Sequence, residues 1–224
     1  MSAPSFTSAA DEPIHPTDNL RGAMWMFSGM IFFSVTAVLI KYAGQSLHTF
    51  EIVFFRCLFG LLVVIPLIMQ SGLRALAIHK PAWHGLRVIC AVVGMNCGFY
   101  ALANLELATA ISLSFTRPLF MILLAIVILG EVVRWRRGLA TVIGFCGVVI
   151  MLQPGTIEFH WAFVSALVSA FSVAVALVLV KLMAKYDKPV SIMVSFSIGT
   201  VLVSAIPAAL VWQAPNATEL ILLV

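Results

Sequence analysis

An arginine followed by a proline inside an apolar run is the feature of this sequence most able to do chemistry. Arg117-Pro118 stands near the centre of residues 107–129, a stretch with no other charge. An arginine at the midplane of a bilayer costs about 2.5–3.5 kcal/mol on the insertion scale, so it should face a cavity or a partner. Pro118 has no N–H to give to the carbonyl of Ser114, which leaves an acceptor that a ligand or water could use. Thr109, Ser112 and Thr116 fall at i, i+3 and i+7, one stripe of the same expected helix. The functional reading is a cavity wall whose cation attracts anionic groups of a substrate. The structural reading is an arginine braced on neighbouring carbonyls, with the hydroxyls joining helices.

Asn96 and Tyr100 stand at i and i+4 in residues 82–103 and could line the same cavity, although Tyr100 also suits an interfacial anchor. Gly94 and Gly98 form a GxxxG pair, which points to close helix packing. Ser34 and Thr36 in the first span and Ser172 in the sixth are small polar residues that suit lining or packing. Arg56, five residues after Glu51, is badly spaced for a pair on one face, so a bracing or snorkelling role is expected. Lys41 and Lys181 end their spans and read as anchors. Glu131, beside Arg134, fits a structural ion pair. The five histidines lie in the tail, loops or helix ends, and no His-Glu-x-x-His, Gly-x-Ser-x-Gly or P-loop pattern occurs. No metal, cofactor, hydrolytic or ATP-driven chemistry is therefore expected.

The elements that position these residues follow from composition. Of 224 residues, 62% are hydrophobic and 10% charged, with mean hydropathy +1.10. A soluble domain carries roughly 25% charged residues, so there is too little polar surface here for water. A soluble enzyme, a nucleic-acid-binding domain and a disordered chain are excluded. The four cysteines fall in apolar runs, which argues against a disulfide framework or a zinc site. Seven apolar stretches read as membrane helices: residues 22–43, 49–69, 82–103, 107–129, 138–153, 161–184 and 190–213. An eighth apolar run starts at Leu220. Residues 1–21 form a polar tail without the features of a secretory signal.

Arg21, Arg74, Lys80, Arg134, Arg136, Arg137, Lys185 and Lys188 all fall in alternate connections, and the other connections carry no basic residue. The positive-inside rule then puts the N-terminus in the cytoplasm. Span one ends Val38-Leu39-Ile40-Lys41 and span six ends Val178-Leu179-Val180-Lys181, about 140 residues later. Ile65-Pro66 and Ile206-Pro207 repeat at nearly the same offset. Five spans separate the copies, and an odd number turns the second copy upside down. Inverted repeats place a substrate site near the midplane between two halves, as in secondary transporters.

An ordered set of landmarks adds to this: Ala108-Thr109-Ala110, Arg117-Pro118-Leu119-Phe120, Leu129-Gly130-Glu131 and Gly144-Phe145-Cys146-Gly147-Val148. Together with Phe55-Arg56 and Pro66, it resembles the drug/metabolite transporter superfamily, EamA-like branch. The resemblance implies an all-α integral membrane fold of two inverted five-helix repeats, ten spans in all. Here that means seven spans plus the start of an eighth: a tail (1–21), a first repeat (22–153) and an incomplete second repeat (154–224). It also implies a secondary transporter of small metabolites in the inner or plasma membrane of a bacterial cell. Arg56 has no counterpart in the second copy, where Ser197 stands, and span one has no acid of the kind that couples protons in four-span relatives.

The expected partners are the lipid bilayer and a small anionic or zwitterionic substrate, with a homodimer compatible and nucleic acid excluded. Arg117, Thr116, Ser112, Asn96, Tyr100 and Ser34 are the expected substrate-binding residues, in a cavity bounded by spans one, three, four and six. Two other classes compete. A seven-helix receptor or retinal protein calls for an extracellular N-terminus or a lysine in span seven, and neither is read here. A membrane-embedded enzyme needs clustered acids or histidines.

Overall fold

A computed structural model describes residues 16–71, 78–130, 135–152, 160–216 and 219. The tail before residue 16, Arg74, Glu131, Arg134 and the run from Leu220 lie outside the described residues. Eight helices are described: α1 (Pro16–Ala43), α2 (Thr49–Ser71), α3 (Pro81–Asn104), α4 (Leu107–Ser114), α5 (Arg117–Leu129), α6 (Trp135–Leu152), α7 (Trp161–Met183) and α8 (Pro189–Leu210). Such apolar sequence satisfies its backbone in hydrocarbon only by coiling. Prolines stand in the first turns of α3, α5 and α8, where a missing N–H costs nothing. Gly130 closes α5 at φ 64°, and its N–H bonds back to the Ala125 carbonyl.

Among the described residues, six stretches are long and apolar enough to cross a membrane: Leu20–Ala43, Thr49–Gln70, Pro81–Asn104, Leu107–Ile128, Trp161–Met183 and Pro189–Leu210. The expected fifth span corresponds to α6, whose described apolar core, Gly138–Gly147, is shorter. The span expected over 107–129 is two helices, α4 and α5, broken at Phe115 and Thr116.

The chain divides into two compact units, Met1–Val38 and Leu39–Val224. The described part of the first is the body of α1, with large apolar side chains such as Trp25 and Phe32 exposed. In the second, α3 and α7 pack most closely. A Cβ on Gly94 would lie 2.9 Å from Val173 Cγ2, and one on Gly98 would lie 2.7 Å from Ser169 Oγ. Ser169 Oγ donates to the Gly94 carbonyl at 2.6 Å. A larger residue at either position is disfavoured because the Val173 and Ser169 side chains of α7 already fill the space a Cβ would take. α8 lies against α3, with Gly199 under Val88, and against α2, where Val64 meets Val194. Phe120 of α5 sits edge-on to Phe171 of α7 and Phe145 of α6.

One local structure occurs twice. After α1, Gly44 N–H bonds to Ile40 O and Leu47 N–H to Ala43 O; after α7, Ala184 N–H bonds to Val180 O and Asp187 N–H to Met183 O, all at 2.9 Å. The two turns match residue for residue at an offset of 140 positions, and each tucks its last residue, Leu47 or Asp187, into the interior.

Candidate functional site at a broken helix

The break between α4 and α5 sits midway along the stretch Leu107–Ile128. Its cause is in the sequence. Pro118 cannot donate inside a helix and crowds the preceding turn, so the chain tightens before it. Phe115 and Thr116 N–H groups bond three residues back, to Ser112 O and Leu113 O at 3.1 Å each, and α5 restarts with the Thr116 carbonyl accepting from Leu119 and Phe120. Thr116 is fully buried and gives its hydroxyl to Leu113 O at 2.7 Å. It props the break and does not continue the stripe of Thr109 and Ser112, which remain half-buried on α4.

Arg117 is the first residue of α5. Its side chain is half-buried, and its Nε is a buried donor with no hydrogen-bond partner among the described residues. Asn96, half-buried on α3, donates Nδ2 to Val92 O at 2.8 Å while its Oδ1 is buried without such a partner. Two of the six residues singled out from sequence thus carry polar atoms with spare capacity. Tyr100 is exposed on α3, and Ser112 is half-buried. Ser34, in the unit Met1–Val38, gives its hydroxyl to Met30 O in its own helix. Among the described residues, no side-chain hydrogen bond joins any two of the six.

The other intramembrane cations with described contacts are committed. Lys41 donates to Leu105 O at 2.5 Å and to Leu102 O at 3.5 Å, closing the end of α3 and not snorkelling outward. Arg56 lies over the Phe99 ring at 5.5 Å, bracing α2 on α3. Arg87 donates to Ile192 O at 3.1 Å and covers the Phe196 ring at 4.1 Å.

Two polar ties escaped the sequence reading. At one end of the second unit, Asp187, with its side chain 1% exposed, accepts from the His79 backbone N–H at 2.9 Å. It also accepts from His79 Nδ1 at 2.8 Å and from His84 Nε2 at 3.1 Å. His84 Nδ1 continues the chain to Ser195 Oγ at 2.6 Å. Burial alone would push the Asp187 carboxyl up, but the bonds from His79 and His84 overcome it and hold it at about 2, against an ordinary 3.8. Beside it, Lys80 Nζ sits 4.5 Å from the Trp83 ring centre and 4.2 Å from that of Tyr186. At the opposite end, Glu51 of α2 is fully buried and accepts from the Gln213 N–H just beyond α8. The partners of Asp187 lie 103 and 108 positions away in sequence, so no local spacing announces the tie.

This arrangement offers a break in a membrane helix that carries Ser112, Thr116 and Arg117 on its own two halves, with no clustered acids or histidines able to hold a metal among the described residues. Residues 20–153 match the model of the EamA-like transporter family. The chain belongs to the EamA-like transporter family. It is similar to the S-adenosylmethionine uptake transporter of Rickettsia prowazekii (strain Madrid E), 34% identical over 204 residues, covering 91% of this chain and 69% of that protein. It is also similar to the riboflavin transporter of Rhizobium johnstonii, 31% identical over 183 residues, covering 81% of this chain and 61% of that one. A further relative is the pseudopaline exporter CntI of Pseudomonas aeruginosa, 29% identical over 156 residues, covering 69% of this chain and 55% of the exporter. This EamA-like protein is a multi-pass membrane transporter of small metabolites and not an enzyme.

Proposed function

We propose that this EamA-like protein is a secondary transporter of the inner membrane that works by alternating access, with its N-terminus in the cytoplasm. Arg117 is its substrate-recognition residue. The observation that carries this reading is a buried Arg117 Nε without a hydrogen-bond partner among the described residues, at the start of α5 in the middle of a broken span. Non-helical backbone at membrane depth is tolerated where it is buried in protein or lines a cavity; we assign the second to the Arg117 side of the break, where the N-terminus of the second half-helix favours negative charge. Arg117 adds its own positive charge at that point, so a carboxylate is the group this corner recognises. Asn96, with its spare carbonyl, Ser112 and Tyr100 complete the proposed lining, and Thr116 holds the break in shape. The turns after α1 and α7, alike at an offset of 140, support the inverted repeat.

S-adenosylmethionine is the first substrate to test, because relatives named for its uptake align with 91% of the chain and its amino-acid end carries a carboxylate. The test is uptake of labelled S-adenosylmethionine by cells making the protein, against riboflavin as the competing substrate. Arg117→Ala should insert normally and lose about thirtyfold or more of the uptake rate, since removing one partner of a buried charge pair costs about 2–5 kcal/mol. Normal uptake by that variant overturns the site.

A further inference from the structure

Glu51 plays no part in the site just described, yet among the described residues it is the acid most fully withdrawn from solvent. It lies in the first turn of α2 at 0% exposure. Its Oε1 accepts the Gln213 N–H, while Oε2 is buried with no hydrogen-bond partner among the described residues. Those residues offer no counter-charge in contact. On its own chain segment, His48 is exposed, with its Nδ1 accepting from Phe50 N–H, and Arg56 lies over Phe99. Lys41, at the end of α1, is taken up by the carbonyls of Leu102 and Leu105. The segment after α8 brings the Gln213 backbone, the Trp212 ring and Glu219, whose carboxylate accepts from Asn216 N–H. A carboxylate oxygen buried without donor or cation is among the costliest polar groups a protein can hold, and in a membrane protein it marks a functional site by default.

We propose that Glu51 is the binding site of the coupling proton, an inference that rests on the transporter reading above. A proton from water adds to the Oε2 lone pair and converts carboxylate to carboxylic acid; no other bond forms or breaks. Loss of the charge weakens the bond that Oε1 accepts from Gln213, because hydrogen bonds to ionised acceptors are about twice as strong as neutral ones. Gln213 follows α8 and Glu51 opens α2, so proton uptake loosens a tie between the two helices at one end of the unit. That links loading to shape, as a coupling site must. The choice of a proton over a metal cation follows from the shell, which among the described residues shows a single free carboxylate oxygen, whereas a metal ion needs several oxygen ligands.

Trp212 supplies a reporter, since its ring packs on Phe54 and Phe55 at 6.1 Å and 5.8 Å, beside Gln213. Intrinsic fluorescence of the full chain in lipid nanodiscs is followed through a pH titration, with choline or sodium as the only added cation. We expect a pH transition that disappears in Trp212→Phe, disappears in Glu51→Gln, survives in Glu51→Asp and is the same in sodium and choline. An unchanged transition in Glu51→Gln overturns the proposal, as does a wild type with no transition or a signal that follows sodium and not pH. Survival in Glu51→Asp keeps a folding defect from passing as support. In vesicles, a pH gradient should accelerate S-adenosylmethionine uptake by the wild type, and that response should be lost in Glu51→Gln. Absence of any uptake by the wild type would count against the transport reading, while the fluorescence titration still decides whether Glu51 takes the proton.

Discussion

Replacing Asp187 by asparagine should destabilise the protein by an amount that depends on pH in a defined window. The folded protein holds this carboxyl at about 2, against an ordinary value of 3.8, in a side chain 1% exposed. One pKa unit is worth about 1.36 kcal/mol in full, but His79 is largely exposed and water screens its tie, so the bonds from His79 and His84 contribute on the order of 1 kcal/mol at neutral pH. Because the folded value lies below the unfolded one, that stability is present in full above about pH 4 and fades as pH falls through 2. An asparagine side chain keeps the shape but cannot be charged. Thermal unfolding at a fixed scan rate, in nanodiscs, would compare wild type, Asp187→Asn, His84→Ala and the double variant, since membrane-protein unfolding is often irreversible. The single variants should each lower the midpoint at pH 7, and the double variant should lose less than their sum. The gap between wild type and Asp187→Asn should close on acidification to pH 2. Additive losses, or a gap that stays constant from pH 7 to pH 2, would refute the reasoning.

Gly94→Ala should cost about 1–3 kcal/mol by forcing α3 off α7, because the new methyl would stand 2.9 Å from Val173 Cγ2; the same thermal assay reads it. Ser169→Ala, which removes a 2.6 Å bond to Gly94 O but adds no volume, should cost only about 0.5–1.5 kcal/mol. Lys41→Met should fray the end of α3, seen as faster amide exchange at residues 101–106, because its ammonium closes the Leu105 carbonyl. Lys80→Ala should lower the unfolding midpoint slightly, by loss of two ring contacts worth about 0.5–1 kcal/mol each, without changing the pH response of Asp187.

Much of the architecture was legible because hydrophobic run length is a global signal. The spans around α2, α3, α7 and α8 agree with the helices to within a few residues, and the Gly94/Gly98 pair read directly as a packing face. The broken span was half legible. Pro118 flagged a missing donor, but whether a proline kinks a helix or ends it depends on whether the next turn can restart, here through the Thr116 carbonyl. That is why Thr116 left the stripe drawn through it. Arg117 and Asn96 draw attention in the sequence because a polar residue amid hydrocarbon stands out, and each carries a buried atom with no hydrogen-bond partner among the described residues. Glu51 and Asp187 were passed over because each lies close to a span end, where an acid is easily tolerated if it faces water. Burial of Asp187 depends on His79 and His84, which no periodicity links to it, and burial of Glu51 on a backbone N–H 162 positions away.

The twin turns carry a consequence for what each must find around it. Leu47 seats itself among Ile40, Ala43 and Ile52, with Phe99 and Leu102 of α3 packed against them, so its seat is filled by apolar side chains and calls for no charge partner. Asp187 occupies the matching seat after α7 but needs the two histidines before and within α3. An unmet carboxylate in that seat is a charge with nowhere to go. The later turn therefore depends for its charge partners on the segment around the start of α3, where the earlier turn asks α3 only for apolar surface.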